Sequence, residues 1–127
     1  MAQLTPFQQA IADINNDKPV IVLITKTNCP PCERAKPVFN EVKASLDSVA
    51  KFYEINVVDL PTDFIQSRRL VSAPTCLMYR FGLEEHRLVG EQVQYGLQNA
   101  ATHFVKTFLE QNSGGSTSDN LFEDVTL

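Results

Sequence analysis

The chain contains two cysteines separated by two prolines, Cys29-Pro30-Pro31-Cys32, and this run constrains the fold more than any other feature. Before it, residues 20–24 are apolar and β-branched, which is typical of a strand inside a helix-covered parallel sheet. After it, apolar residues recur at helical spacing, at Ala35, Val38, Phe39, Val42, Leu46 and Val49. The sequence therefore predicts a strand, a Cys-x-x-Cys turn and a helix in immediate succession.

A cysteine pair at the start of a helix is suited to thiol–disulfide exchange. Two intervening residues bring both sulfurs to the same helix end, within reach of a disulfide bond once the turn forms. The unpaired N–H groups and positive dipole end of that helix stabilise a thiolate. We expect Cys29 to be the more exposed thiol and the nucleophile, and Cys32 to resolve the mixed disulfide. Pro30 and Pro31 remove two backbone donors and stiffen the loop, so they should shift the reduction potential.

Helical and extended patterns alternate along the rest of the chain. Extended patterns cover residues 51–58, 75–81 and 86–89, with a turn at 82–85 that joins the last two into an antiparallel hairpin. Helical patterns begin at Pro6 after an N-cap at Thr5, cover residues 61–69, and run from Leu97 to about Gln111. This alternation predicts an α/β sandwich.

Composition limits the class of protein. A length of 127 residues with 43% apolar residues predicts one domain, which we place at residues 1–112. Without a basic stripe, nucleic acid is an unexpected partner. No segment approaches a membrane span, and the N-terminus lacks the basic start of a secretory signal, so we expect no membrane contact and a cytoplasmic location. A mature form already trimmed of its signal would read the same.

Residues 113–127 differ in composition from the domain. Linker-like glycine and serine residues precede an acidic segment that contains Leu121, Phe122, Val125 and Leu127. The simpler interpretation is a flexible, solubilising tail. The alternative is a peptide that docks on a partner.

Over residues 5–111, the chain resembles the thioredoxin family. Beside the cysteine pair, the resemblance rests on Pro37 in the following helix, on the Ala73-Pro74-Thr75 turn, and on Gly90 after the last strand. It implies the thioredoxin fold, a central mixed β-sheet flanked by helices on both faces. It also implies a cis peptide bond before Pro74 and a substrate site at Ala73, Pro74 and Gly90. For the recycling partner, it implies a flavoenzyme of the thioredoxin-reductase kind.

The chain departs from the family's usual pattern beside the cysteines. Asn28 replaces a tryptophan, and Pro30-Pro31 replaces Gly-Pro, which bears on substrate range. Leu23 stands where the family has a buried aspartate, so that route for deprotonating the resolving thiol is missing. Glu54, on the neighbouring strand, is a candidate replacement.

Other chemistry-bearing residues have simpler interpretations. A zinc site at the cysteine pair would need two more ligands from Cys76, His86 and His103, and none has ligand-like spacing, so we expect no metal. Cys76 lies in an apolar strand and is expected to be a buried structural thiol. The two histidines are expected at the surface.

Three functions are consistent with these patterns. The first is a monomeric protein disulfide reductase with a Cys29/Cys32 dithiol cycle, no bound cofactor, and electrons from an external reductase or small thiol. The second is a glutaredoxin-like, glutathione-dependent enzyme. The third is a thioredoxin-fold binding module that docks a partner protein. The Pro-Thr pair after Ala73 and the long closing helix favour the first, which would serve electron transport and cell redox homeostasis.

Overall fold

Strand β1 (Val20–Thr25) lies at the centre of a four-stranded mixed sheet. The structure is a computed structural model that describes residues 4–16 and 18–113, the last three by their backbone alone. β1 pairs in parallel with β2 (Lys51–Asn56) and antiparallel with β3 (Thr75–Arg80), which pairs antiparallel with β4 (Leu83–Val89). Every residue of β1 is buried, because neighbouring strands cover both edges and helices cover both faces.

Helices cover both faces of this sheet, as predicted. One face carries α1 (Pro6–Ile14) and α3 (Thr62–Ser67), and the other carries α2 (Pro30–Leu46) and α4 (Glu91–Ser113). The predicted N-cap of α1 is confirmed, since the Thr5 hydroxyl accepts a hydrogen bond from the Gln8 N–H and the Gln8 side chain accepts one from the Thr5 N–H. This capping box pairs two backbone donors that the helix leaves free. No helix in the described part of the chain is long and apolar enough to cross a membrane.

Alternation along the strands divides the interior into two cores. Leu23, Cys76 and Leu88 face α2 and α4, while Val22, Ile24, Leu77 and Tyr79 face α1 and α3. Because successive side chains of a strand point to opposite faces, one apolar strand contributes to both cores.

The boundaries of the hairpin differ from the prediction. The predicted turn at residues 82–85 is wrong, because β4 already begins at Leu83 and the chain reverses at Phe81-Gly82. Both turn residues have positive φ, 54° and 82°, which matches the type I′ turns favoured in two-residue hairpins. Phenylalanine is uncommon at such a position, so the sequence carries no strong turn signal there.

Three other predicted elements also end elsewhere. The strand predicted to reach residue 58 ends at Asn56, whose side chain caps a short 3₁₀-helix, Val57–Asp59. The short helix predicted at 61–69 covers Thr62–Ser67. The last helix continues to Ser113, so the first residue of the predicted linker is helical. The rest of the predicted tail lies outside the described residues.

Candidate active site

The two cysteines lie at the start of α2, just after the loop that follows β1. Asn28 turns the chain with a positive φ of 57°, which asparagine tolerates better than most residues, and Cys29 is the N-cap of α2. The sulfur of Cys29 accepts a hydrogen bond of 3.2 Å from the backbone N–H of Cys32. A sulfur therefore takes the place of the hydroxyl or carboxylate oxygen that usually caps a helix.

Cys29 and Cys32 are joined by a disulfide bond, with a Cα–Cα distance of 5.2 Å. Cys29 is 5% exposed and Cys32 is fully buried, so the first cysteine is the more accessible, as the sequence predicts. Pro30 and Pro31 occupy the first two helical positions and have no N–H to donate. The Cys32 amide is therefore the first donor that the helix can direct at the Cys29 sulfur.

The predicted substrate turn lies against the disulfide. The peptide bond between Ala73 and Pro74 is cis, as the resemblance implies, and the Ala73 carbonyl oxygen is 3.7 Å from the Cys29 sulfur. Within residues 4–16 and 18–113, the Ala73 N–H donates to no acceptor. Gly90 donates a 2.8 Å hydrogen bond from its N–H to the Pro74 carbonyl oxygen. The structure thus brings Ala73, Pro74 and Gly90 together beside the cysteine pair.

An open groove of about 150 Å³ borders this turn on the side of β2. Its lining combines apolar side chains with one cation: Ile24, Lys26, Val57, Leu70, Val71, Ser72 and Ala73. Val71 is 90% exposed, although an apolar side chain gains nothing from contact with water. We did not single out this groove from the sequence, although the apolar pair Leu70-Val71 just before the predicted substrate turn was a usable signal.

Glu54 lies beside Leu23 in the register of β1 and β2. Its carboxylate is 3.8 Å from Lys36 Nζ, which also donates a 3.0 Å hydrogen bond to Glu33 in the first turn of α2. The Glu33 contact is the main cause that raises the pKa of Lys36. Glu54 therefore belongs to an ion-pair network with the cysteine-bearing helix.

The residues with simpler interpretations lie where the sequence predicts them. Cys76 is a free, fully buried thiol, and burial raises its pKa from 9.0 to about 12, so it stays protonated. His86 and His103 are exposed. Within the described residues, no group of three metal-ligating side chains is suited to hold an ion.

Comparison with known proteins identifies the family. The thioredoxin family model matches residues 1–103. The chain is 27% identical to a thioredoxin of Porphyra purpurea over 99 residues, which cover 78% of this chain and 90% of that protein. It is 36% identical to Thioredoxin-2 of Saccharomyces cerevisiae over 76 residues, which cover 60% of this chain and 71% of that protein.

Among solved structures, the thioredoxin Mala s 13 of Malassezia sympodialis superposes with a TM-score of 0.70. The match covers 82% of this chain and 97% of that one at 23% sequence identity, so it supports the fold alone. The family match, the fold and the Cys-x-x-Cys pair agree with one another. The chain belongs to the thioredoxin family of thiol–disulfide oxidoreductases and is a protein disulfide reductase.

Proposed function

We propose that Cys29 is the nucleophile and Cys32 the resolving thiol of this reductase. The observation that carries the proposal is the hydrogen bond from the Cys32 N–H to the Cys29 sulfur, at a helix N-terminus. A donor at that position stabilises negative charge on the sulfur, so it favours the thiolate that attacks. Cys32 has no exposed surface, which suits a thiol that reacts only with its neighbour.

The cycle transfers two electrons to the substrate. The Cys29 thiolate attacks one substrate sulfur, the substrate disulfide breaks, and the second substrate sulfur leaves as a thiolate that takes up a proton. Cys32 then loses its proton and attacks the Cys29 sulfur, which releases the first substrate sulfur as a thiolate that is protonated in turn. The protein is left with the Cys29–Cys32 disulfide. An external reductant must restore the dithiol.

Protein substrates bind, in this proposal, as an extended segment along the turn at Ala73. The Ala73 N–H, which has no acceptor among the described residues, offers one backbone hydrogen bond, and the Ala73 carbonyl oxygen lies next to the reacting sulfur. The hydrogen bond from the Gly90 N–H to the Pro74 carbonyl oxygen holds the turn in place. The groove beside Val71 would take an apolar side chain of the substrate.

Pro30 and Pro31 tune the reduction potential in this proposal by limiting the donors near Cys29. Electrons come from a flavoenzyme of the thioredoxin-reductase kind or from a small thiol, and no bound cofactor takes part. The protein works as a monomer in the cytoplasm, within electron transport and cell redox homeostasis. The acidic-apolar segment after residue 118 would serve as a docking peptide for a partner.

Insulin disulfide reduction with dithiothreitol as electron source tests the catalytic roles. We expect Cys29→Ser to abolish turnover. Pre-reduced Cys32→Ser, mixed with insulin after dithiothreitol has been removed, should accumulate a mixed disulfide with the substrate, visible on a non-reducing gel. Cys76→Ala is the matched control, because it removes a buried thiol that faces the core, and it should keep the wild-type rate. Turnover that survives in Cys29→Ser would refute the proposed nucleophile.

The same assay separates the other functions that the sequence allowed. A glutathione-dependent enzyme would work with glutathione as sole reductant at least as well as with dithiothreitol. A binding module would bind its partner equally well as the wild type and as Cys29→Ser, without turnover in either. We expect neither result.

A further inference from the structure

Arg87 links the edge strand β4 to the chain that leads into the substrate turn. Its Nη2 donates a 2.8 Å hydrogen bond to the carbonyl oxygen of Arg68, and its Nη1 donates one of 3.2 Å to the carbonyl oxygen of Arg69. Both acceptors lie just after Ser67, the last residue of α3. One guanidinium therefore holds two successive carbonyls at the end of a helix.

These carbonyls need an outside partner. The last carbonyls of a helix have no partner within it, and the negative end of the helix dipole favours a cation there. Arg69 also has a φ of 54°, a left-handed conformation that helix ends usually assign to glycine. A residue with a Cβ keeps that conformation at a cost in free energy, so contacts from Arg87 help to maintain it.

Glu84 fixes the orientation of Arg87. Arg87 Nε donates a 2.6 Å hydrogen bond to Glu84 Oε2, and Nη2 donates one of 2.7 Å to Oε1. The two side chains are only 26% and 22% exposed, so the pair is less screened by water than an ordinary surface ion pair. Two parallel hydrogen bonds to one carboxylate fix the orientation of the guanidinium as well as binding it.

The residues that follow Arg69 lead directly to the reacting sulfur. Three residues separate Arg69 from Ala73, whose carbonyl oxygen lies 3.7 Å from the Cys29 sulfur. The far end of this segment is held by Gly90, which bonds to the Pro74 carbonyl oxygen. Strand β4 thus holds residues 70–73 at both ends, through Arg87 and through the residue that follows the strand.

We propose that Arg87 is a positioning residue for protein substrates. By holding the end of α3, it keeps residues 70–73 in the conformation in which Ala73 pairs with an extended substrate segment. This inference rests on the proposed substrate site at Ala73. Arg87 acts through the loop and not on the sulfur, so a small disulfide with no peptide backbone to pair with Ala73 should react at the same rate without it.

Arg80 provides a matched control within the same hairpin. Its Nε donates a 3.0 Å hydrogen bond to Glu85, and its Nη2 bonds the same carboxylate, as Arg87 does with Glu84. Arg80 lies over the Phe104 ring of α4, on the other face of the sheet, and in the described part of the chain it makes no hydrogen bond or ion pair with residues 70–73. Loss of Arg80 therefore removes an arginine–glutamate pair without releasing the loop.

The test compares two substrates in single turnovers of the full-length, pre-reduced protein. With insulin, we expect Arg87→Gln to lower the second-order rate constant about fivefold, since a charge-assisted contact to each carbonyl is lost. With bis(2-hydroxyethyl) disulfide, the rate constant should equal that of the wild type. Arg80→Gln should match the wild type with both substrates, and Arg87→Lys should fall between the wild type and Arg87→Gln with insulin. Amides of residues 70–73 should exchange hydrogen faster in Arg87→Gln alone.

Three results would overturn the inference: an Arg87→Gln rate equal to wild type with insulin, an equal loss in Arg80→Gln, or an equal loss with both substrates. If Arg87→Gln does not fold, the comparison of Arg87→Lys with Arg80→Lys decides in the same way. A wild-type protein that reduces neither substrate would refute the proposed function itself.

Discussion

The backbone N–H of Cys32 lies 3.2 Å from the Cys29 sulfur and donates a hydrogen bond to it. Cys29 is therefore the N-cap of α2. Capping donors usually come from the second and third helical positions, and here only the third donates, because Pro31 at the second position has no N–H. The chemistry of the redox pair thus depends on how many backbone N–H groups can bond the Cys29 sulfur. A substitution in the first turn of α2 can change this number.

Replacing Pro31 with alanine should raise the reduction potential of the cysteine pair. Alanine restores an N–H at the second helical position, where it can bond the Cys29 sulfur and stabilise the reduced, thiolate form. One added donor to a charged sulfur corresponds to a shift of about 30–65 mV towards a stronger oxidant. Equilibration with a defined dithiothreitol redox buffer measures it.

Pro37→Ala is the control for this shift, since Pro37 lies inside α2 and away from the N-cap. Its potential should equal that of the wild type. A lower potential in Pro31→Ala, or the same rise in both variants, would contradict the role of the added donor.

Val71→Asp should weaken the reaction with protein substrates while the fold stays intact. Val71 lines the groove beside Ala73, and at 90% exposure its replacement removes almost no core packing. Loss of an apolar contact at the substrate site should raise KM for insulin about threefold to tenfold with kcat nearly unchanged. Val58→Asp is the matched control, because Val58 is 77% exposed and does not line the groove. An equal rise in KM for both variants would exclude a specific contact at Val71.

Cys76 should make the fold less stable at alkaline pH. Burial raises the pKa of its thiol from 9.0 to about 12, so between these values the folded state binds a proton that the unfolded state has lost. The contribution of the Cys76 thiol to the free energy of unfolding is fully present below pH 9. Above pH 9 it falls by about 1.4 kcal/mol per pH unit. We expect the parent protein to have a higher free energy of unfolding than its Cys76→Ala variant, and this difference, measured by urea unfolding, should shrink from pH 9 to pH 10.5.

Thiol–disulfide exchange is avoided in this comparison by replacing Cys29 and Cys32 with serine in both proteins. The raised pKa values of Tyr53 and Tyr79 affect both proteins equally, so the difference isolates Cys76. A stability difference that stays constant over this pH range would show that the Cys76 thiol titrates normally in the folded protein.

The two tyrosines on the α1 and α3 face should respond oppositely to loss of their hydroxyl. The Tyr53 O–H donates to the buried carboxylate of Asp13, so Tyr53→Phe should lower the free energy of unfolding by about 1–3 kcal/mol. The Tyr79 hydroxyl is buried without a hydrogen-bond partner among the described residues, so Tyr79→Phe should leave stability unchanged or raise it by about 1 kcal/mol. Urea unfolding at pH 7 measures both, and a large loss in Tyr79→Phe would reveal a hidden partner.

Local patterns predicted much of the fold and the centre of the site. The buried strand at residues 20–24, the helix that starts at the cysteine pair and the final hairpin follow from periodicity and from proline and cysteine positions. The hairpin turn was misplaced, because Phe81 adopts a positive φ that its residue type does not signal. The groove at Val71 was overlooked, because exposure is a property of the folded surface.

By itself, the sequence determined the order of elements, the chemistry of the Cys29/Cys32 pair and the family, because these depend on residues that are neighbours along the chain. Only the tertiary structure decided what surrounds the pair. Ala73 reaches the Cys29 sulfur across 44 residues of sequence, and Arg87 reaches the end of α3 across 18 and 19. Such contacts exist only after the sheet has set the register between distant strands, and hydrophobic periodicity carries no information about them.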